Sequence, residues 1–221
     1  MCKEHLLKAM RIYKRNFADF LLAGSLLTLL TSLFISQLTL ASLEPRLLLL
    51  ALLTLACVLA AQLGIQGMAY KARKRGKTKL LFFKRAISRF FPSYCLLLFL
   101  ICFITMAIAI LISPLFLVPV PMLGAIALAF VFVFIALAFA CSTYALFDTG
   151  NVLDALKLSF VIAKHAFLEL GFILLIFSFI SLCISILFPT SISLVLNCVL
   201  VTPLSCIAIA LVYENARGRV E

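Results

Sequence analysis

Apolar residues run along this chain in long unbroken tracts, with neither the two-residue period of a half-buried strand nor the narrow stripe of a soluble helix. Positions 20–43, 47–70, 90–147 and 170–213 contain no Asp, Glu, Lys or Arg. A bilayer core about 30 Å thick is crossed by about 20 helical residues. The first two tracts each suit one crossing, and the last two are each long enough for two crossings and a turn. The pattern therefore predicts six spans, near 17–40, 47–70, 94–113, 122–147, 167–188 and 190–213. Continuous apolar runs predict helices, because a lipid-facing barrel strand alternates. Glu44-Pro45-Arg46 predicts the first outer turn, and Pro114, Pro119 and Pro121 the second. Phe188-Pro189-Thr190-Ser191 predicts the third, short enough to make spans five and six a close hairpin. No loop can hold a folded extramembrane domain, so 1–221 reads as one integral membrane domain. The basic start and first apolar run look like a signal peptide. The run is too long for that, and a second span follows at once, which predicts a retained first span.

Ahead of each odd span lies a segment with one apolar stripe. In the middle segment Phe83, Ala86, Ile87, Phe90 and Phe91 share a face, opposite Lys84, Arg85, Ser88 and Arg89. In the first, Leu6, Met10, Tyr13 and Phe17 oppose Lys8, Arg11, Lys14 and Arg15. In the third, Val152, Ala155, Leu156, Ser159 and Ile162 or Ala163 face one way. Helices of this kind lie in the membrane interface. Aligning Phe17, Tyr94 and Phe167 also aligns Ala9, Ala86 and Ser159, and the even spans end alike at Tyr70, Tyr144 and Tyr213. The expected fold is thus all-α: six transmembrane helices in three parallel two-span repeats, each preceded by an amphipathic interfacial helix. The units cover about 1–72, 77–147 and 151–214 and enter from the same side, unlike inverted transporter repeats.

Composition supports a lipid solvent: 66% of residues are hydrophobic and 12% charged, against about 45–50% and 25% in soluble domains. Charge then sets orientation. Lys3, Lys8, Arg11, Lys14 and Arg15 precede span one, and nine more Lys or Arg lie between spans two and three. Lys157, Lys164, Arg217 and Arg219 fall on the same side, and only Arg46 on the other. Retention of basic loops in the cytoplasm predicts a multi-pass cell-membrane protein with both termini inside. All five tyrosines fall near the inner ends, where a phenol has one apolar and one hydrogen-bonding edge.

The stretch Phe147-Asp148-Thr149-Gly150-Asn151, with Ala155-Leu156-Lys157-Leu158-Ser159 and Lys164-His165-Ala166-Phe167, carries a resemblance. It is similar to the YciC-like group of six-span prokaryotic membrane proteins, related to the membrane domain fused to some glycerophosphodiester phosphodiesterases. Thr149 is interposed before Gly150 relative to the group's loose Asp-Gly…Ala-Leu-x-x-Ser…Lys theme. The resemblance implies the fold and brings no catalytic residues; the fused phosphodiesterase domain is absent.

Candidate functional residues are few. Lys71, Arg73, Lys74, Arg75, Lys77, Lys79, Lys84, Arg85 and Arg89 form a basic run without an acid. Near an anionic leaflet each exposed cation adds about 1 kcal/mol of attraction, so these are candidate contacts for anionic headgroups. The same charges also serve as a topology signal. Asp19 and Glu169 stand two residues after the aligned aromatics, as inner-mouth carboxylates or as first-turn acids stabilised by the helix dipole. Gln62, Gln66 and Asn197 are candidate intramembrane polar contacts. Gly64 and Gly67 suit close helix approach, and Pro203 should bend span six. Eight cysteines include no C-x-x-C, and the two histidines, His5 and His165, lie beside lysines or near helix ends. No nucleophile elbow, P-loop or zinc motif occurs. No catalytic residue, metal or cofactor is therefore expected. The expected partners are membrane lipids with anionic headgroups on the cytoplasmic face and a membrane protein partner, with no nucleic acid. This points to a non-enzymatic scaffold, accessory or lipid-interacting bundle. The alternative is a transporter or channel for a small neutral or apolar solute, which needs Gln62, Gln66, Asn197 or Ser178 to share a cavity.

Overall fold

The computed structural model describes residues 2–41, 47–112, 131 and 133–219. Among these the chain is helical, with short connections and no strand. Helix α1 (Cys2–Arg15) leads through Asn16 into α2 (Phe17–Ala41), followed by α3 (Leu47–Arg75) and α4 (Leu80–Ile112). A helical stretch at 133–139 continues into α5 (Ser142–Thr149). Then come α6 (Val152–His165), α7 (Phe167–Leu187) and α8 (Thr190–Leu196). A π-helical turn (Asn197–Val201) joins α8 to α9 (Thr202–Arg217). Five helical stretches are long and apolar enough to cross a membrane: Phe17–Thr39, Leu48–Arg75, Leu80–Leu111, Phe167–Leu187 and Thr190–Arg217. A shorter apolar stretch covers Val133–Thr149. The rest of the fourth expected span, Glu44-Pro45-Arg46, Pro114, Pro119 and Pro121 lie outside the described residues. The outward faces are strongly apolar, with Leu168, Leu111 and Ile186 about three-quarters or more exposed. Surface of this kind is stable against hydrocarbon and unstable against water. The chain is a multi-pass helical membrane protein.

The middle segment differs from the sequence expectation. The stretch 83–91 is the opening of the same helix as span three, because α4 runs unbroken through Pro92. The first and third segments do separate from their spans. At Asn16 the side-chain amide donates to the Ile12 carbonyl at 2.7 Å, competing with the helical ladder. At Ala166 the backbone leaves helical geometry (φ −116°, ψ 20°).

The stripe predicted on α1 is also displaced. Of its four residues Tyr13 is buried and Leu6 half-buried, but Met10 and Phe17 are exposed, and Ala9, Ile12 and Asn16 are buried in their place. In lipid, large apolar side chains gain nothing by facing inward, so small residues and hydrogen-bonding ones take the packed face. Ala86 of α4 and Ser159 of α6 are likewise buried, and the Ser159 hydroxyl donates to the Ala138 carbonyl at 2.8 Å. Gly64 and Gly67 let α3 press on α4: a Cβ on either would overlap Phe83 or Ala86.

The centre is α9, buried through Cys206–Ala208 and Ala210–Tyr213 and packed against α1, α3 and α7. Pro203 has no N–H for the Val199 carbonyl one helical turn back. The π turn ends at Val201, two residues before this proline, and the Tyr13 hydroxyl donates to that carbonyl at 2.8 Å. Burial raises the Tyr13 phenol above its ordinary value, keeping it a donor. Tyr13→Phe is therefore expected to destabilise the fold by about 1 kcal/mol. In a Pro203→Ala background the loss should shrink, since alanine supplies the missing donor. Unfolding of the four proteins of this cycle in detergent checks the coupling; equal losses in both backgrounds would refute it.

Candidate functional site at the charged end of the bundle

The C-terminal ends of α3, α5 and α9 converge where the apolar tracts stop. Each carries one of the aligned tyrosines, with a charged residue three or four positions on: Tyr70 and Arg73, Tyr144 and Asp148, Tyr213 and Arg217. That spacing puts tyrosine and charge on one face of each helix. Asp148 accepts hydrogen bonds from the hydroxyls of Tyr70 and, at 2.8 Å, Tyr213. It also pairs with Arg73 at 3.4 Å and with Arg217. The Arg73 guanidinium lies 4.2 Å from the Tyr70 ring centre and 4.8 Å from that of Tyr213. It also donates to the Ala210 carbonyl at 3.5 Å. The third tyrosine, Tyr144, donates to the Cys206 carbonyl at 2.7 Å, and its ring tilts against Tyr213.

Arg73 thus departs from the lipid-contact reading. Its side chain is 1% exposed. A guanidinium held between two phenol rings and a carboxylate has no face left for a headgroup. Asp148 is equally committed, with Oδ1 taken by Tyr70 and Oδ2 by Tyr213, Arg73 and Arg217. A carboxylate so occupied is a clamp between helix ends and not an available base. The sequence carried a signal for this cluster in the tyrosine-to-charge spacing, but gave no indication that the three ends meet.

The other basic candidates remain at the surface. Lys74, Arg75, Lys77, Lys79, Lys84, Arg85 and Arg89 are exposed, and Lys71 is half-buried with its ammonium 5.2 Å over the Phe82 ring. Lys71, Arg85 and Arg89 line a cavity of about 250 Å³, floored by Gly67, Tyr70, Phe90 and Phe147. Arg75, Lys77 and Lys79 line a second, of about 500 Å³, with Arg15, Asn16, Asp19, Thr78 and Phe82.

The two inner-mouth carboxylates have different surroundings. Asp19 borders the second cavity. Glu169 lies between helix α1 and the chain's end, 3.6 Å from His5 Nε2 and 3.3 Å from Arg219. Burial holds the His5 imidazole below its ordinary value, with Glu169 pulling it up and Lys8 pushing it down. His165 is exposed in the last turn of α6.

Gln62 and Gln66 stand one turn apart on α3, and Asn197 opens the π turn of the last span. Ser178 lines a cavity of about 490 Å³ with Ser181, Ser185 and Ser205, and none of the three amides lines it. Asn197 instead bonds its own helix, its amide reaching the Ser193 hydroxyl at 3.4 Å. An intramembrane contact that sequence reading missed joins α2 to α3, where the Thr54 hydroxyl donates to the Gln37 side-chain carbonyl. Among the described residues no three or more His, Cys, Asp or Glu gather as a metal site.

Comparison of the chain with protein-family models, with curated proteins and with solved structures gives no match.

Proposed function

We propose that this chain is a non-enzymatic multi-pass membrane protein whose basic end binds anionic lipid headgroups and serves as a scaffold or accessory surface. One observation carries the reading. Seven exposed cations, from Lys74 to Arg89, cover the junction of α3 and α4, and no carboxylate lies within that stretch of sequence. The one buried cation of the run, Arg73, is neutralised internally. The remaining charges therefore face outward at the level where helices leave the apolar layer, where anionic headgroups would lie. On this reading the bundle has six spans in three parallel units, with both termini on the basic, cytoplasmic side. Burial of Ala9, Ala86 and Ser159 and the meeting of the three helix-end tyrosines support the three-unit arrangement.

The test is lipid retention. The full chain is extracted from mixed phosphatidylcholine and phosphatidylglycerol vesicles, washed in neutral detergent, and its bound lipid quantified. Phosphatidylglycerol should be enriched, less so at high salt. Replacing the seven exposed cations by glutamine should abolish the enrichment, each exposed charge contributing about 1 kcal/mol at low salt. Unchanged enrichment in that variant would rule the reading out.

A further inference from the structure

The geometry points to a binding site for a phosphate group in the cavity between the α1–α2 junction and the α3–α4 turn. It deepens the headgroup-binding reading by naming one pocket and one ligand chemistry.

The turn Gly76-Lys77-Thr78-Lys79 is built to hold a fixed shape. Gly76 adopts a left-handed conformation (φ +65°), and its N–H closes α3 on the Ala72 carbonyl at 2.7 Å. Asn16, between α1 and α2, clasps the turn from across the bundle. Its amide donates to the Gly76 carbonyl at 3.2 Å, and its carbonyl oxygen accepts from the Thr78 N–H at 2.8 Å. Asn16 is 5% exposed, so the clasp is shielded from water. The result is a pocket of about 500 Å³ rather than a floppy loop.

Three features of the pocket suit a phosphate. Arg15, Arg75, Lys77 and Lys79 line it; among the described residues none of them has a carboxylate ion-pair partner, and Asp19 is the only acid in the wall. Like charges in one cleft repel, and an anion between them removes the repulsion. Helix α4 begins at Leu80, the residue after Lys79, which puts the positive end of a long helix beside the cavity. Independently of both, Thr78 lines the cavity, is 5% exposed, and its hydroxyl has no hydrogen-bond partner among the described residues. A buried hydroxyl without a partner is costly in a protein that has nothing to offer it. A phosphate oxygen would accept from it, while the guanidinium groups and ammonium groups take the rest of the charge. The same chemistry suits a phospholipid headgroup and a free phosphate.

The experiment uses the full chain in two settings: neutral detergent titrated with inorganic phosphate, and phosphatidylcholine nanodiscs with and without phosphatidic acid. Five variants are compared with the wild type: Asp19→Asn, Thr78→Val, Thr78→Ser, Lys77→Gln/Lys79→Gln, and Lys84→Gln/Arg89→Gln, which removes equal charge outside the cavity. Circular dichroism and size-exclusion profiles check that each is folded. Thr78→Val should bind about tenfold more weakly and Thr78→Ser like the wild type. Lys77→Gln/Lys79→Gln should lose more than Lys84→Gln/Arg89→Gln, and Asp19→Asn should tighten binding. Such dependence with inorganic phosphate identifies a free-phosphate site; with phosphatidic acid alone, a headgroup site. If Thr78→Val binds normally and the two charge variants lose equally, the pocket is refuted while the general headgroup reading stands. If no variant alters binding, or neither probe binds, both fall.

Discussion

Asp148→Ala is expected to destabilise the bundle by about 3–5 kcal/mol, the scale for removing one partner of a buried ion pair. The loss has several sources in one place. Arg73, 1% exposed at its side chain, would keep its charge without a carboxylate. The hydroxyls of Tyr70 and Tyr213 would lose their acceptor, and Arg217 its partner. Asp148→Asn retains an acceptor for the tyrosines and should cost less. The double variant Arg73→Met/Asp148→Leu removes both charges and should recover much of the loss, because the penalty comes from the stranded partner and not from the missing attraction. Denaturant or thermal unfolding in detergent measures all three. A change below about 0.5 kcal/mol for Asp148→Ala would place the cluster with ordinary surface pairs.

Gly24→Val comes next in size. Helix α2 crosses the π turn of the last span at Gly24, where a Cβ would sit 2.8 Å from both the Cys198 carbonyl oxygen and Val199 Cα. Those are backbone atoms, so no side-chain rotation relieves the overlap. Overpacking of this kind costs about 1–3 kcal/mol. Pushing α2 away also strains the nearby contact of Tyr13 with the Val199 carbonyl. Gly171→Ala, in the next-to-last long span, is the contrast. Among the described residues its added Cβ meets only a Leu137 methyl, at 3.8 Å. Replacing a helical glycine there should be neutral or stabilising by up to about 1 kcal/mol. If both variants melt alike, close approach at Gly24 is not what sets the helix spacing.

These two sites differ in how far the sequence reveals them. Gly64 and Gly67 stand out as a small-residue pair, and both lie at a close crossing. Gly24 has no such partner in sequence, because the surface it meets belongs to residues 198–199 at the other end of the chain. Arg73 reads as one cation in a basic run, although it is the one turned inward. Asp148 reads as the first acid after a long apolar tract, with no hint that four side chains converge on it.

The amino-acid order by itself determined that this chain is helical, that most of it is immersed in lipid, and where its charged end begins. Those properties follow from transfer free energies summed residue by residue along each tract, which need no knowledge of neighbours. The tertiary structure decided which face of α1 is packed, that the stretch 83–91 continues into a span, that Tyr13 satisfies the carbonyl orphaned by Pro203, and that Asn16 pins the Gly76–Lys79 turn. Each of these depends on the rotation and crossing of helices far apart in sequence. In lipid the choice is made by a few hydrogen bonds and small residues, because one apolar face is as well solvated as another.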